Sequence, residues 1–177
     1  MSTDPQQFDR ALLAELGIPE NYGTDPALVR YAEATELVDV GPNIIGREQR
    51  LTPATAAAWQ SLQSTAEAED VQLILVSGFR SASYQADLIR TKLEAGQEID
   101  AILKINVGPG YSQHHTGNAI DIATPGYKPL LEYFEDSPAF AWLHENAAQF
   151  GFTLSYPREN PEGISYEPWH WYRDPAS

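Results

Sequence analysis

The stretch from Tyr111 to Ala123 constrains the rest of the chain most. Within it, Ala119-Ile120-Asp121-Ile122-Ala123 has the two-residue period of a strand, with Ile120 and Ile122 on one face and Ala119, Asp121 and Ala123 on the other. The isoleucines can face a core. On the opposite face an aspartate stands between two alanines, whose small side chains leave room for an ion. Gly117 permits a sharp or positive-φ entry into the strand. His114 lies just before that turn, seven residues ahead of Asp121, where its side chain can reach back toward the carboxylate. The same spacing equally fits an ordinary strand with an exposed aspartate and a polar loop.

A second cluster, Tyr166-Glu167-Pro168-Trp169-His170-Trp171-Tyr172, tips the balance. On an ideal strand Glu167 and His170, three apart, would face opposite sides. Pro168 breaks that regularity, and the residue before a proline is held extended. The strand proper is therefore expected from Trp169 to Tyr172, with Glu167 on an irregular entry. His170 can then bind a metal while Glu167 leans over an open coordination position. Trp169 and Trp171 would pack in the core or wall a cleft. Two neutral imidazoles, one carboxylate ligand and one spare carboxylate are the parts of a catalytic zinc site with a general base. The plainer alternative is an aromatic edge strand with incidental Glu and His.

Composition narrows the function further. The chain has no cysteine, so disulfides, thiolate metal sites and cysteine nucleophiles are excluded, and ligands must come from His, Asp and Glu. A formal net charge of −14 argues against nucleic acid and anionic membrane surfaces as partners. No apolar run approaches the ~18 residues needed to span a bilayer. Met1 through Arg10 lacks the basic start and apolar middle of a signal peptide. As written, the expectation is a cytoplasmic protein, or an exported one if a leader has been lost upstream. At 177 residues the chain is long enough for one domain with a substantial core.

Four helix starts are marked by an N-cap residue followed by proline: Asp4-Pro5, Asp25-Pro26, Thr52-Pro53 and Ser137-Pro138. They predict helices to about Leu16, over 27–36, from Pro53 to about Ala68, and from Pro138 to Gly151. Leu37 to Arg50 reads as irregular or short strand. Trp59, Leu62 and Ala66 mark the core stripe of the third helix, and Phe140, Leu143, Ala147 and Phe150 that of the last. Val71 to Val76 reads as a buried strand. It turns through Ser77-Gly78-Phe79-Arg80-Ser81 into a helix over about 82–95, which places Arg80 at a strand-to-helix junction. Arg80 suits a carboxylate or a developing oxyanion, or an ordinary surface ion pair. Gln85 could share its pocket or be solvated. A short helix is expected over 100–105, a strand over Phe152 to Tyr156, and a polar loop from Pro157 to Gly163. His144 borders a helix stripe and is read as structural or surface.

Ser112-x-His114-x-x-Gly117-x-Ala119-x-Asp121, followed by Glu167-x-x-His170 within Glu-Pro-Trp-His-Trp, resembles the paired zinc motifs of the VanY-type D-alanyl-D-alanine carboxypeptidases. These group with lysostaphin-type peptidases and the hedgehog signalling domain. Ser77-Gly78-Phe79-Arg80-Ser81 with Gln85 matches a third family element, so the resemblance spans about Leu51 to Arg173. It implies an α+β fold, a small, mainly antiparallel sheet with helices packed around it. It also implies one zinc peptidase domain over 1–177, with 51–173 as catalytic core and 1–40 as a helical N-terminal extension. His114, Asp121 and His170 would bind Zn2+, and Glu167 would act as general base and acid. Arg80 would stabilise the oxyanion or hold a substrate carboxylate, with Gln85, Ser112 and Trp169 completing the substrate site.

The implied activity is removal of a C-terminal D-amino acid from a peptidoglycan stem peptide or a D-Ala-D-Ala peptide. A peptidoglycan endopeptidase of the L-alanyl-D-glutamate type, and a non-catalytic zinc-stabilised binding module, are the alternatives. Two departures stand out. His115 occupies a position where the family often carries Gln and adjoins a ligand, and Asn118 is more polar than the aliphatic residue expected there.

Overall fold

The computed structural model describes residues 5–176. In chain order it runs α1 (Pro5–Glu15), β1 (Val38–Pro42), β2 (Glu48–Leu51), α2 (Pro53–Ala68), β3 (Ile74–Ser77), α3 (Ala82–Glu94), α4 (Ile99–Ile102), β4 (Ala119–Ala123), α5 (Pro138–Asn146), β5 (Phe152–Leu154) and β6 (His170–Arg173). Short 3-10 turns occupy Gln113–Thr116, Glu132–Asp136 and Ala147–Phe150. The architecture is α+β, with helices around small antiparallel sheets, as the resemblance implies.

Local signals account for most of the starts. Thr52 Oγ1 accepts the Thr55 N–H at 3.4 Å and Ser137 Oγ the Phe140 N–H at 3.0 Å, each ahead of a proline in the first helical turn. Ser81 caps α3 in the same way without a proline, accepting the Tyr84 N–H at 3.1 Å. α1 begins at Pro5 as expected, and Asp4 lies outside the described residues.

The helix expected over 27–36 is absent, so the N-terminal extension is helical only in α1. The 27–36 segment is instead held extended by distant partners. The Tyr31 N–H donates to Gly110 O at 2.8 Å, the Ala34 N–H to His115 O at 2.8 Å, and Arg30 pairs with Asp9 at 2.8 Å. The Glu33 carboxylate accepts the Ala82 N–H at 2.6 Å, at the start of α3. Tertiary hydrogen bonds here take the backbone groups a helix would have used, overriding the local Asp-Pro signal.

Two antiparallel sheets form. β1 and β2 make a hairpin, and the other strands form a four-stranded sheet in the order β3-β4-β6-β5. β4 lies inside the sheet between β3 and β6, and all five of its residues are buried. Ile120 and Ile122 enter the main core with Leu51, Trp59, Leu62 and Trp171. α5 presents Trp142 and Leu143 to that core, with Phe140 and Phe150 only partly buried against it. Register does the rest for the site: Asp121 stands directly opposite His170 across β4–β6 and opposite Ser77 across β3–β4. Val76 is the extra residue of a bulge before Ser77, a device that re-aims a strand end. A smaller cluster of Leu13, Leu16, Ile18, Ala86, Ile89 and Ile102 fastens α1 to α3 and α4. Among the described residues, no helix is long and apolar enough to cross a membrane.

Candidate active site

Three segments converge around Asp121, the middle residue of β4. The turn between β3 and α3 docks on the 3-10 turn at Gln113–Thr116 through three contacts. The His114 ring Nδ1 lies 2.7 Å from Gly78 O, the Arg80 N–H donates to His114 O at 3.1 Å, and His115 Nδ1 lies 2.7 Å from Arg80 O. Gly78 must be glycine for this approach, because a Cβ there would stand 2.8 Å from Arg50 O. Gly117, at φ +68°, ends the 3-10 turn in the left-handed region, and a Cβ there would stand 2.8 Å from Leu37. Asn118, unexpected in the sequence, is buried, and its Oδ1 accepts both Thr52 Oγ1–H at 2.6 Å and Thr55 Oγ1–H at 2.7 Å. It ties the site-forming turn to the start of α2.

The ligand geometry follows. A carbonyl can only accept, so His114 Nδ1 carries the proton given to Gly78 O, and Nε2 presents its lone pair. That Nε2 is buried without a hydrogen-bond partner and lies 3.2 Å from Asp121 Oδ2. His170 is turned the other way. Its Nδ1 lies 3.0 Å from Asp121 Oδ1, while Nε2 lies 2.8 Å from Gln113 Oε1. Ligand atoms of His114, Asp121 and His170 all fall within 4.8 Å of one another, and all three residues are buried. Burial, reinforced by Arg80, pulls the His114 imidazole down to about 4, so it is neutral at pH 7. Burial alone would raise Asp121, but the two imidazoles beside it prevail and keep it ionised. An orphaned imidazole nitrogen, an ionised carboxylate and a second imidazole nitrogen suit Zn2+, whose ordinary protein ligands these are.

His115, the neighbour of His114, is engaged elsewhere. It is fully buried, its Nδ1–H donates to Arg80 O, and its Nε2 accepts the Gly110 N–H at 3.1 Å, so both ring nitrogens are occupied. His144 is exposed on α5.

Glu167 reaches the same centre through a tight turn. The His170 N–H donates to Glu167 O at 3.2 Å, closing the loop around Pro168 and Trp169, and the Glu167 N–H donates to Tyr156 O at 3.1 Å. The strand thus begins at His170, one residue later than expected. The Glu167 carboxylate lies 3.8 Å from His170 Nδ1. Burial pushes it up to about 7, against the opposing pull of His170. Arg80 completes the group: Nη2 lies 3.4 Å from Asp121 Oδ2, Nη1 donates to Gln85 Oε1 at 3.1 Å, and Nε is buried without a partner.

These residues lie along a cleft of about 950 Å³ that Ser112, Gln85 and Trp169 also line. Gln85 is almost wholly buried and donates to Val107 O at 2.7 Å, so it orients Arg80. Ser112 Oγ accepts the His114 N–H at 3.2 Å and shapes the turn that carries His114. Sequence reasoning missed Gln113 and Tyr156. Gln113 Oε1 accepts from His170 Nε2 and from Ser155 Oγ at 2.7 Å, and its amide donates to Tyr31 OH at 3.4 Å. Tyr156 lays its ring 4.9 Å from that of His170. The signal for Gln113 was present, since it immediately precedes His114, but its partners lie 42 and 57 residues away.

Comparison with known proteins places this geometry. Residues 48–173 match the family model VanY, described as D-alanyl-D-alanine carboxypeptidase. The chain is 28% identical over 172 residues to a putative carboxypeptidase, YodJ, of Bacillus subtilis (strain 168), covering 94% of this chain and 60% of that relative's length. Among solved structures it is similar to the LdcB LD-carboxypeptidase, with a TM-score of 0.70 and 27% identity over 88% of this chain and 71% of that one. It is also similar to the vancomycin-resistance D,D-pentapeptidase VanY in complex with Zn(II), with a TM-score of 0.62 and 27% identity over 78% of each chain.

Proposed function

From the premise that this chain belongs to the VanY family of D-alanyl-D-alanine carboxypeptidases, we propose that it is a zinc-dependent carboxypeptidase that removes a C-terminal D-amino acid from peptidoglycan stem peptides. The observation that carries the reading is the convergence of His114 Nε2, Asp121 and His170 Nδ1 beside two groups a purely structural site does not need, Glu167 and Arg80. Zinc held by those three ligands would acidify a water and polarise the scissile carbonyl.

The chain's own residues supply the rest. Gly78 O and Gln113 Oε1 fix the tautomers of the two imidazoles, so that the unprotonated nitrogen of each lies beside the Asp121 carboxylate. Glu167, buried and poised near neutrality, takes a proton from the attacking water and returns one to the departing amine as the C–N bond breaks. Arg80, braced by Gln85 and Asp121, offers its charge to the oxygen that becomes anionic at the tetrahedral stage. Trp169 walls the cleft.

The similarity to both LD- and D,D-peptidases supports two choices of scissile bond. Mass spectrometry of a pentapeptide, a tetrapeptide, free D-Ala-D-Ala and a cross-linked dimer decides between them. Each is incubated with zinc-loaded protein, with chelator and with Glu167→Gln. Loss of one terminal residue from the pentapeptide alone means D,D-specificity, and from the tetrapeptide, L,D-specificity. Internal cleavage of the dimer would replace this reading with an endopeptidase. Stoichiometric zinc without any cleavage would replace it with a binding module.

A further inference from the structure

Arg47, just before β2, and Arg50, within it, are exposed and line the same cleft as Arg80 and Glu167. The chain has 25 Asp and Glu against 11 Lys and Arg, so a cation on it has acids in excess to pair with. Yet among the described residues neither Arg47 nor Arg50 forms an ion pair, although Glu48 adjoins Arg47 and lines the same cleft. Each guanidinium is instead laid over an aromatic ring. Arg47 stands 5.4 Å from the centre of the Tyr84 ring, with Nη1 donating to Tyr84 OH at 2.8 Å, and Arg50 stands 5.5 Å from the centre of the Phe79 ring. Stacking steadies the guanidinium plane and leaves N–H groups at its edge for a planar anion.

The backbone beneath them is fixed as well. Asn43 Nδ2–H donates to Val76 O at 2.8 Å and the Ile44 N–H to Leu75 O at 3.0 Å, which fastens the β1–β2 turn to β3. The Gly78 N–H donates to Gln49 Oε1 at 2.9 Å, and the Phe79 N–H to Arg50 O at 2.9 Å. Gly78 and Phe79 belong to the turn that orients His114 and carries Arg80. Both cations are therefore held in a fixed relation to the ligand cluster. Two pre-organised guanidinium groups without a counter-ion are arranged for an anion from outside the chain.

The reaction indicates which anion. A carboxypeptidase holds one residue beyond the scissile bond, so most of a cleft of about 950 Å³ serves the residues before it. In a stem peptide with lysine at its third position, the internal carboxylate is that of D-glutamate. A protein of net charge −14 repels such a peptide as a whole, so local cations at the cleft are what would hold its acid group. We propose that Arg47 and Arg50 form an anion subsite on the acyl side of the scissile bond. It takes the free carboxylate of the D-glutamate and makes the protein select acidic stem peptides over their amidated forms. The assignment rests on the carboxypeptidase reading above.

The test uses lysine-type stem pentapeptide and tetrapeptide, each with the D-glutamate carboxylate free or amidated and the C-terminus free throughout. The zinc-loaded proteins are wild type, the double variant Arg47→Gln/Arg50→Gln and the charge-keeping Arg47→Lys/Arg50→Lys. Zinc stoichiometry and melting temperature establish that the variants are folded. Wild type should cut the acid with a kcat/KM about 10-fold above that for the amide, as expected for one charge-assisted hydrogen bond. The difference should lie mainly in KM and shrink as salt is added. The glutamine double variant should cut acid and amide alike, and the lysine double variant should keep part of the preference. If wild type shows no preference, or the glutamine double variant keeps it in full, the assignment falls with the carboxypeptidase intact. If wild type cuts none of the peptides, the carboxypeptidase reading fails by itself. NMR titration of the same proteins with the acid and the amide then judges the subsite directly. Tighter binding of the acid to wild type, lost in the glutamine double variant, supports it, and equal binding of acid and amide overturns it.

Discussion

Glu167 and His170 are three residues apart, yet the roles proposed for them require opposite electrostatics. His170 must offer a lone pair, and Glu167 must gain and lose a proton near neutral pH. The turn at Pro168 and Trp169 buries the Glu167 carboxylate beside His170, and burial pushes it up to about 7. A base works only when deprotonated, so kcat/KM should rise with pH up to the Glu167 pKa and level off above it. A bound dication pulls that value down, so the acid limb should fall at or below pH 7. Glu167→Gln should lower kcat by about 10²–10⁴-fold and abolish the limb, while zinc still binds one to one. A pH–rate profile of both proteins, with zinc content by atomic absorption, checks this. Gln113 acts one step further out. Gln113→Leu removes the acceptor for His170 Nε2–H and should weaken zinc binding about 10–100-fold, whereas Gln113→Glu keeps an acceptor and should retain most of the affinity. Competition with a chromophoric chelator measures both.

At the scale of elements, the site is held by contacts that tie one segment's end to another's. Asn118 is an instance: its buried Oδ1 is the shared acceptor for two threonine hydroxyls at the start of α2. Asn118→Leu would leave both hydroxyls without that acceptor and should cost about 2–4 kcal/mol, read as a lower urea midpoint at unchanged m-value. What was legible in the sequence had its cause nearby. The capping hydroxyls of Thr52 and Ser137, the alternation of Ala119 to Ala123 and the proline before Trp169 each act within a few residues, and the elements formed where those signals lay. That His114, Asp121 and His170 come together was legible because the motif residues resemble a known family. Gln113, the Glu33 carboxylate at the start of α3, and the extended 27–36 segment were not legible, because their partners are distant in sequence. Asp25-Pro26 is the instructive failure. It is as good a local helix signal as Thr52-Pro53, but hydrogen bonds from Tyr31 and Ala34 to Gly110 and His115 outweigh it.

For the whole molecule, the ligand set joins parts that the apolar cores leave separate. His114 sits on a 3-10 turn, Asp121 on the central strand β4 and His170 at the start of β6, so an ion bound to all three braces the sheet against the loops over the cleft. Zinc should therefore raise the melting temperature, with the folded state gaining about 1.4 kcal/mol for each tenfold rise in free zinc above Kd. The metal-free protein should in turn be sensitive to acid. Burial holds His114 at about 4 and lowers His115 as well, both from an ordinary value of 6.5. Between those limits the two imidazoles bind more protons in the unfolded chain than in the folded one, so their share of the stability falls as pH is lowered through 6.5 and toward 4. Glu167, raised by burial to about 7, takes up its proton first in the folded chain and offsets that loss. For His114 alone the full loss is on the order of 3 kcal/mol. Urea titrations of the chelator-treated Glu167→Gln protein, which lacks that offset, at steps from about pH 7.5 to 4.5 should show the decline due to the imidazoles, and adding His115→Asn should make it shallower. A flat profile would mean that the imidazoles are already protonated in the folded state, in conflict with the neutral tautomers that Gly78 O and the Gly110 N–H impose.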